Sequence, residues 1–196
     1  MNILFSLLIL LAPIKAEIGH FTIYQDGKKI GTEDFSITPQ QSGYLATGHT
    51  QISVSAQTFD LQSRMELDEK LSPMSYEFQS KGSAIRLKIG NPLSEFEYTV
   101  DGKTEPHDIR FPADGAIIDD NFFHHFVILL YRAGLGAASI PTFVPQQSTV
   151  GTLTIRPAGN RTFELETSNL KLIATTDADG RLIRLTVPDA KVVVER

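Results

Sequence analysis

Along most of this chain apolar and polar residues alternate one by one. In Thr58–Leu67, Phe59, Leu61, Met65 and Leu67 fall on one side, while Thr58, Asp60, Gln62, Arg64 and Glu66 fall on the other. Met74, Tyr76 and Phe78 alternate with Ser75, Glu77 and Gln79, Ile85, Leu87 and Ile89 with Arg86 and Lys88, and Phe96, Tyr98 and Val100 with Glu95, Glu97 and Thr99. Shorter runs of the same kind occur at Phe21–Tyr24, Thr50–Val54, Leu153–Ile155, Phe163–Leu165, Ile183–Val187 and Val192–Val194. A two-residue period gives each strand one dry and one wet face, the pattern of an antiparallel sheet with solvent on its outer side. Asp26-Gly27, Asp101-Gly102 and Asp179-Gly180 separate pairs of such runs, and Asp-Gly supplies the positive φ angles of tight hairpins. Pro157-Ala158-Gly159-Asn160 reads as a longer turn. The expected fold is mainly β: a curved antiparallel meander of about ten strands, closing as a barrel or half-barrel.

One segment departs from the period. Asp119-Asp120 offers an N-cap, Asn121–Ala133 lacks Gly and Pro, and Gly134 is a C-terminal stop. Phe122, Phe123, Phe126, Val127, Ile128, Leu129, Leu130 and Tyr131 cover most of the helical circumference, and a helix apolar nearly all round is a buried one. The expected place for this single helix, residues 121–133, is against the concave face of the sheet. As a membrane span it is interrupted by His124, His125, Arg132 and two glycines. Gly134–Gln147 reads as a Gly-, Ala- and Pro-rich loop.

The first sixteen residues change the picture of where the protein works. Ile3–Leu11 is an apolar run too short to span a bilayer comfortably, followed by Pro13, Ile14-Lys15-Ala16 and then polar sequence from Glu17. That order predicts a signal peptide over 1–16 and a single β domain over 17–196, exported to the periplasm or outside the cell, with a bacterial envelope the expected setting. No stable transmembrane span is expected once the peptide is removed. The chain has no cysteine, so disulfides, thiol catalysis and thiolate metal sites are excluded. Its formal net charge of −5, with basic residues scattered, argues against a nucleic-acid partner.

Candidate chemistry is sparse. His124 and His125 are about 100° apart on a helix and cannot chelate one ion as an i, i+4 pair does; no metal or cofactor is expected. His20 and His49 fall on strands near in sequence, and an enzyme would become a live reading if they met a carboxylate in space. Gly134-Leu135-Gly136-Ala137-Ala138-Ser139 follows a helix rather than a strand, so it lacks the context of a dinucleotide loop. Glu95/Glu97 and Glu164/Glu166 are i, i+2 pairs on a wet strand face. No catalytic residue is nominated.

The aromatic residues carry the functional expectation. Phe122, Phe123, Phe126 and Tyr131 would meet Phe59, Tyr76, Phe78, Phe96 and Tyr98, forming a packed core or the lining of a hollow one. The opening Phe21-Thr22-Ile23-Tyr24-Gln25-Asp26-Gly27-Lys28-Lys29-Ile30-Gly31, the long meander, the Asp-initiated apolar helix and the closing hairpins together resemble uncharacterised bacterial periplasmic proteins. Those proteins carry a curved, lipoprotein-carrier-like half-barrel wrapped around a helix. The resemblance implies an envelope protein with a cleft for a hydrophobic ligand, and brings no catalytic residues. The expectation is therefore a lipid-like or other apolar molecule held between sheet and helix by Phe122, Phe123, Phe126, Leu130, Phe78 and Phe96. The alternative is a non-catalytic structural or protein-interaction module with a solid core, docking an envelope protein on its sheet edge or outer face.

Overall fold

The computed structural model describes residues 15–119 and 121–196, so the apolar run at 3–11 and all of the signal-peptide segment but Lys15 and Ala16 lie outside the described residues, as does Asp120. The strands are β1 (Glu17–Gln25), β2 (Lys28–Gln40), β3 (Gly43–Val54), β4 (Gln57–Leu67), β5 (Pro73–Ser80), β6 (Ser83–Lys88), β7 (Ser94–Val100), β8 (Lys103–Ile109) and β9 (Ala116–Ile117). Helix α1 (His124–Arg132) follows, then β10 (Ala138–Val144), β11 (Thr149–Gly159), β12 (Thr162–Glu166), β13 (Lys171–Thr176), β14 (Leu182–Val187) and β15 (Val192–Glu195). All fifteen strands belong to one open sheet, ordered β8-β7-β6-β5-β4-β3-β2-β1-β15-β14-β13-β12-β11-β10-β9. Strand β1 pairs with β15, Ile23 opposite Val194, so the two ends of the meander join in the middle of the sheet. Every neighbouring pair is antiparallel except β9 with β10.

The count of about ten strands is corrected to fifteen: the alternating runs leave out β2, β8, β9, β10 and β13, although the Asp-Gly turns already imply a strand at β2, β8 and β13. Strand β8 is solvent-exposed at nearly every position and has no apolar face to announce it. Strand β9 is two residues long, β10 carries Pro141 inside what reads as a loop, and β2 and β13 place Glu33, Ala174 and Thr176 where a large apolar residue would be expected. A sheet position is fixed by its ladder partners as much as by its side chain.

The sheet wraps around α1. Phe96 lies on β7, second from one edge, and Phe143 on β10, second from the other, yet their rings meet edge to face at 6.0 Å. Phe111, on the link from β8 to β9, packs on the same Phe143 ring at 6.0 Å. The inner-face residues Phe21, Ile23, Leu87, Leu153, Ile155 and Leu185 are buried with α1 in one continuous core. At roughly 1.5–3 kcal/mol for each large apolar side chain, this burial is the main favourable contribution to the fold.

Two turns match their expected form: Asp26-Gly27 and Asp101-Gly102 have φ of 49° and 75°, and 48° and 78°. The turn expected at Pro157–Asn160 moves to Asn160-Arg161, with φ of 46° and 59°, because β11 continues to Gly159 through a bulge against β12. Asp179-Gly180 sits in a longer loop closed by the Asp177 N–H to Arg181 O bond. The helix is shorter than 121–133, running His124–Arg132 and stopping at Gly134, whose φ is +59°. Among the described residues no helix is long and apolar enough to cross a membrane.

Candidate functional site

The helix start is held by a residue from the sheet. Among the described residues no side chain near α1 in sequence caps it. Glu33 of β2 does so instead: its Oε2 accepts the Phe123 N–H at 2.8 Å, and its Oε1 meets the His124 N–H at 3.4 Å and His124 Nδ1 at 2.5 Å. A carboxyl at a helix N-terminus meets orphan N–H donors and the positive end of the macrodipole. Glu33 is fully buried, and that burial pushes its carboxyl up to about 8, opposed by the two backbone N–H groups. Burial pushes His124 down to about 3. Near neutrality the pair is therefore uncharged as a whole, with one proton between Glu33 Oε1 and His124 Nδ1. Gly48 on β3 makes room for the imidazole: a Cβ there would lie 2.5 Å from His124 Cε1. Phe35 stacks on the other side at 6.0 Å.

Beside this seat lies a second buried polar group. Tyr76 Oη and Gln146 Nε2 donate to Asp119 Oδ2, and the Asp119 N–H donates to His125 Nδ1 at 3.2 Å. His125 therefore carries its proton on Nε2, and burial together with His124 holds it well below its ordinary value. The imidazoles of His124 and His125 are 4.6 Å apart, and Nε2 of each is buried with no hydrogen-bond partner, as are Ser63 Oγ and Gln146 Oε1. Among the described residues no cluster of three or more His, Asp or Glu could hold a metal ion. Asp119 serves this network instead of acting as the expected helix cap.

The far end of α1 is tied down separately. Tyr131 Oη donates to Glu17 of β1, and Arg196 Nη1 reaches the same carboxylate at 2.5 Å. Burial and Glu17 together raise the Tyr131 phenol. Arg132 donates to the carbonyls of Gly115 and Asp114 at 2.7 and 2.6 Å.

Phe122, Phe123, Phe126, Leu130, Phe78 and Phe96 all fall in one core, each no more than 9% exposed. Phe78 meets Phe122 edge to face at 6.3 Å, whereas Phe96 faces Phe143 of β10. The void beneath the helix, between Met65, Leu67, Ile117, His125, Ile128 and Leu129, is about 10 Å³, the room of a single water. The space between helix and sheet is filled with side chains.

The concave face continues past the start of α1. Thr50 donates to the Asn121 carbonyl at 2.9 Å, with the inner-face positions Ile52 and Val54 of β3 still beyond it. Ile52 pairs with Phe59 across β3 and β4, in phase with the buried Tyr44, Ala46, Leu61 and Met65. On β7, Tyr98 and Val100 continue the phase of the buried Ser94 and Phe96. These inner-face residues are uncovered: Phe59 is 45%, Val100 40%, Tyr98 39% and Val54 38% exposed. The hairpin turns after β3, β5 and β7 all lie at this end, so the residues form an apolar rim in two parts at one mouth of the curved sheet, Val54 and Phe59 on β3 and β4 and Tyr98 and Val100 on β7, with Ser80 and Ser83 between them.

A larger groove, about 700 Å³, crosses the outer face from β2 to β6. Its walls are the rows Ser36-Thr47-Arg64-Glu77-Arg86 and Asp34-His49-Gln62-Gln79-Ala84, with strand backbone as floor. Its charges are matched within the sheet, Arg64 to Glu66 at 2.9 Å and Glu77 opposite Arg86. His20, Asp34 and His49 do form one outer row, with His20 Nδ1 2.7 Å from Asp34 and His49 Nε2 2.9 Å from Asp60. All four are well exposed, and Gln51 and His49 hold the Asp60 carboxyl below the usual carboxylate range. An open row of solvated groups offers none of the contrasting burial that acid–base chemistry needs.

Sequence reasoning missed Glu33, the residue that positions the site. The signal was its phase: Glu33 is two and four residues from the buried Phe35 and Ile37, a carboxylate in register with the core.

No family model matches the chain, and no curated protein matches it. In the solved structures, the fold is similar to that of a DUF1089 family protein from Pseudomonas aeruginosa, with a TM-score of 0.51 over 91% of this chain and 92% of that one. At 14% identity the likeness is one of fold: a mainly β, single curved sheet with its helix.

Proposed function

We propose that this is an exported, non-catalytic binding protein that holds a lipid-like or other apolar molecule on the concave face of its sheet. The observation that carries the reading is the uncovered apolar rim: Val54, Phe59, Tyr98 and Val100 stand in solvent as a continuation of the core's own inner face. Apolar side chains left uncovered in phase with a core face are the kind of surface that something covers for part of the time. The rim anchors the molecule beyond the start of α1, and Phe122, Phe123, Phe126, Leu130, Phe78 and Phe96 form the covered continuation of the same surface. Export is a further part of the reading, and rests on residues 1–16.

The test is uptake. Purified protein is extracted with organic solvent and analysed by mass spectrometry, then titrated with a fluorescent fatty acid and with phosphatidylcholine vesicles. Co-purified lipid, or fatty-acid binding weakened at least tenfold by Phe59→Glu together with Val100→Glu, is the expected result. Clean protein that takes up neither probe overturns it.

The filled space under α1 favours a second reading, a solid-core module that docks an envelope protein. Cross-linking in the envelope that traps one discrete protein through the rim, with no lipid recovered, would select it.

A further inference from the structure

We propose that the seat of α1 is a proton-operated latch: it holds the helix start against the sheet while Glu33 and His124 share one proton, and loosens when that proton is lost or another arrives. The release regulates the concave face described above, and only its consequence for ligand rests on that reading.

The geometry sets both limits. Among the described residues the start of α1 has no side-chain cap from its own segment, and the Glu33 carboxyl accepts the Phe123 and His124 N–H groups. The far end is fastened by Tyr131 to Glu17 and by Arg132 to two carbonyls, so the helix can loosen at its start while remaining attached at its end. Adding a proton to either imidazole creates a cation whose Nε2–H has no acceptor, since both Nε2 atoms are already buried and unpartnered. Two such rings 4.6 Å apart also repel once charged. Removing the shared proton leaves a carboxylate with no solvent contact. Among the described residues two further carboxylates and a phenol flank the seat. Asp34, next on β2, is exposed and engaged with His20, and its charge opposes ionisation of Glu33. Asp119 accepts from Tyr76 and Gln146, and its backbone N–H reaches His125. Tyr76 meets the His125 ring edge-on at 5.8 Å.

The proton balance follows from the two sides. In the loosened state Glu33 and both histidines return to their ordinary values, 4.5 and 6.5. Loosening then releases the Glu33 proton over the interval between 4.5 and about 8, and takes up histidine protons below 6.5. The population of the loosened state has its minimum near pH 6.5, rising about tenfold at pH 5 and about fourfold at pH 8. Glu33→Gln removes the alkaline rise. It also removes the release that opposes histidine uptake, so its acid rise exceeds about 100-fold over the same interval. His125→Asn keeps an acceptor for the Asp119 N–H and abolishes the acid rise between pH 6.5 and 5.

Hydrogen exchange of the ligand-free full chain tests this directly. Protection of residues 123–130 is measured from pH 4.5 to 8.5, corrected for intrinsic exchange and compared with β13 and β14. A maximum near pH 6.5 confined to the helix start, with the two variants each removing one side, is the expected outcome. Protection that is flat with pH, or that moves in step with β13 and β14, overturns the latch even if neither variant folds. Fatty-acid uptake at pH 5 and 6.5 is read separately: a latch that opens without uptake leaves the latch standing and removes the ligand reading.

Discussion

Glu33 accepts the backbone N–H of Phe123 at 2.8 Å across ninety residues of chain, so the first turn of the only described α-helix is completed by a strand. Both partners are buried, and water cannot replace either one. Local sequence gives the helix its apolar surface, and the sheet gives it a defined start.

Removing that carboxyl should be among the more damaging single changes. Glu33→Ala strands two buried N–H donors and opens space, a loss of about 3 kcal/mol on the scale of 1–3 kcal/mol per unsatisfied group. Glu33→Gln keeps an acceptor and should lose about 1 kcal/mol. Urea unfolding followed by circular dichroism measures both, and equal values for the two variants would contradict a capping role.

Gly48 should tolerate no side chain. A Cβ there lies 2.5 Å from His124 Cε1 and 3.0 Å from Phe122 Cδ1, so Gly48→Ala displaces the imidazole and should destabilise by about 1–3 kcal/mol. Gly102→Ala meets nothing within 4 Å, and its loss, about 1 kcal/mol, comes only from a φ of +78°. Thermal midpoints of the two variants, with Gly48→Ala falling further, check the contrast.

The filled core separates covered from uncovered aromatics. Phe122→Ala should cost about 3–5 kcal/mol, because Phe122 is wholly buried against Phe78 and the two histidines. Phe59→Ala, at a rim position 45% exposed, should stay within about 1 kcal/mol. Denaturation midpoints in water decide it, and a Phe122→Ala loss no larger than that of Phe59→Ala would mean the helix seat is loosely packed.

Stability should peak near pH 6.5. Glu33 binds its proton more tightly folded than unfolded, so its stabilising contribution is complete below 4.5 and is lost as pH rises through about 8. His124 binds its proton less tightly folded, so its contribution is complete above 6.5 and is lost as pH falls towards about 3; His125 acts in the same direction. Each limb is worth on the order of a few kcal/mol. Equilibrium unfolding at half-unit steps from pH 4 to 9 should trace this maximum, and Glu33→Gln should remove the alkaline decline.

Export makes a mass prediction. Expressed from its own start, the protein recovered from the envelope fraction should begin at Glu17, as intact-mass measurement would show. Full-length protein retained in the cytosolic fraction would remove the export reading.

Residue alternation was enough to determine the antiparallel sheet, its one-sided dryness, the position of the apolar helix and the hairpins at Asp26-Gly27 and Asp101-Gly102. These depend on side-chain period and local φ preference, which neighbouring residues settle between themselves. Strand β8 was marked only by the Asp101-Gly102 turn before it, because an exposed edge needs no apolar face, and β10 was illegible because its pairing with β11 overrides Pro141. Phe122, Phe126, Leu130, Phe78 and Phe96 were legible as core, but whether their interior was hollow was not: void volume depends on how closely β7 and β10 approach across the bowl. The cap from Glu33 and the paired imidazoles were decided by tertiary structure alone. A strand pattern says which way a carboxylate points, and only the register of β2, β3 and α1 says what it meets there.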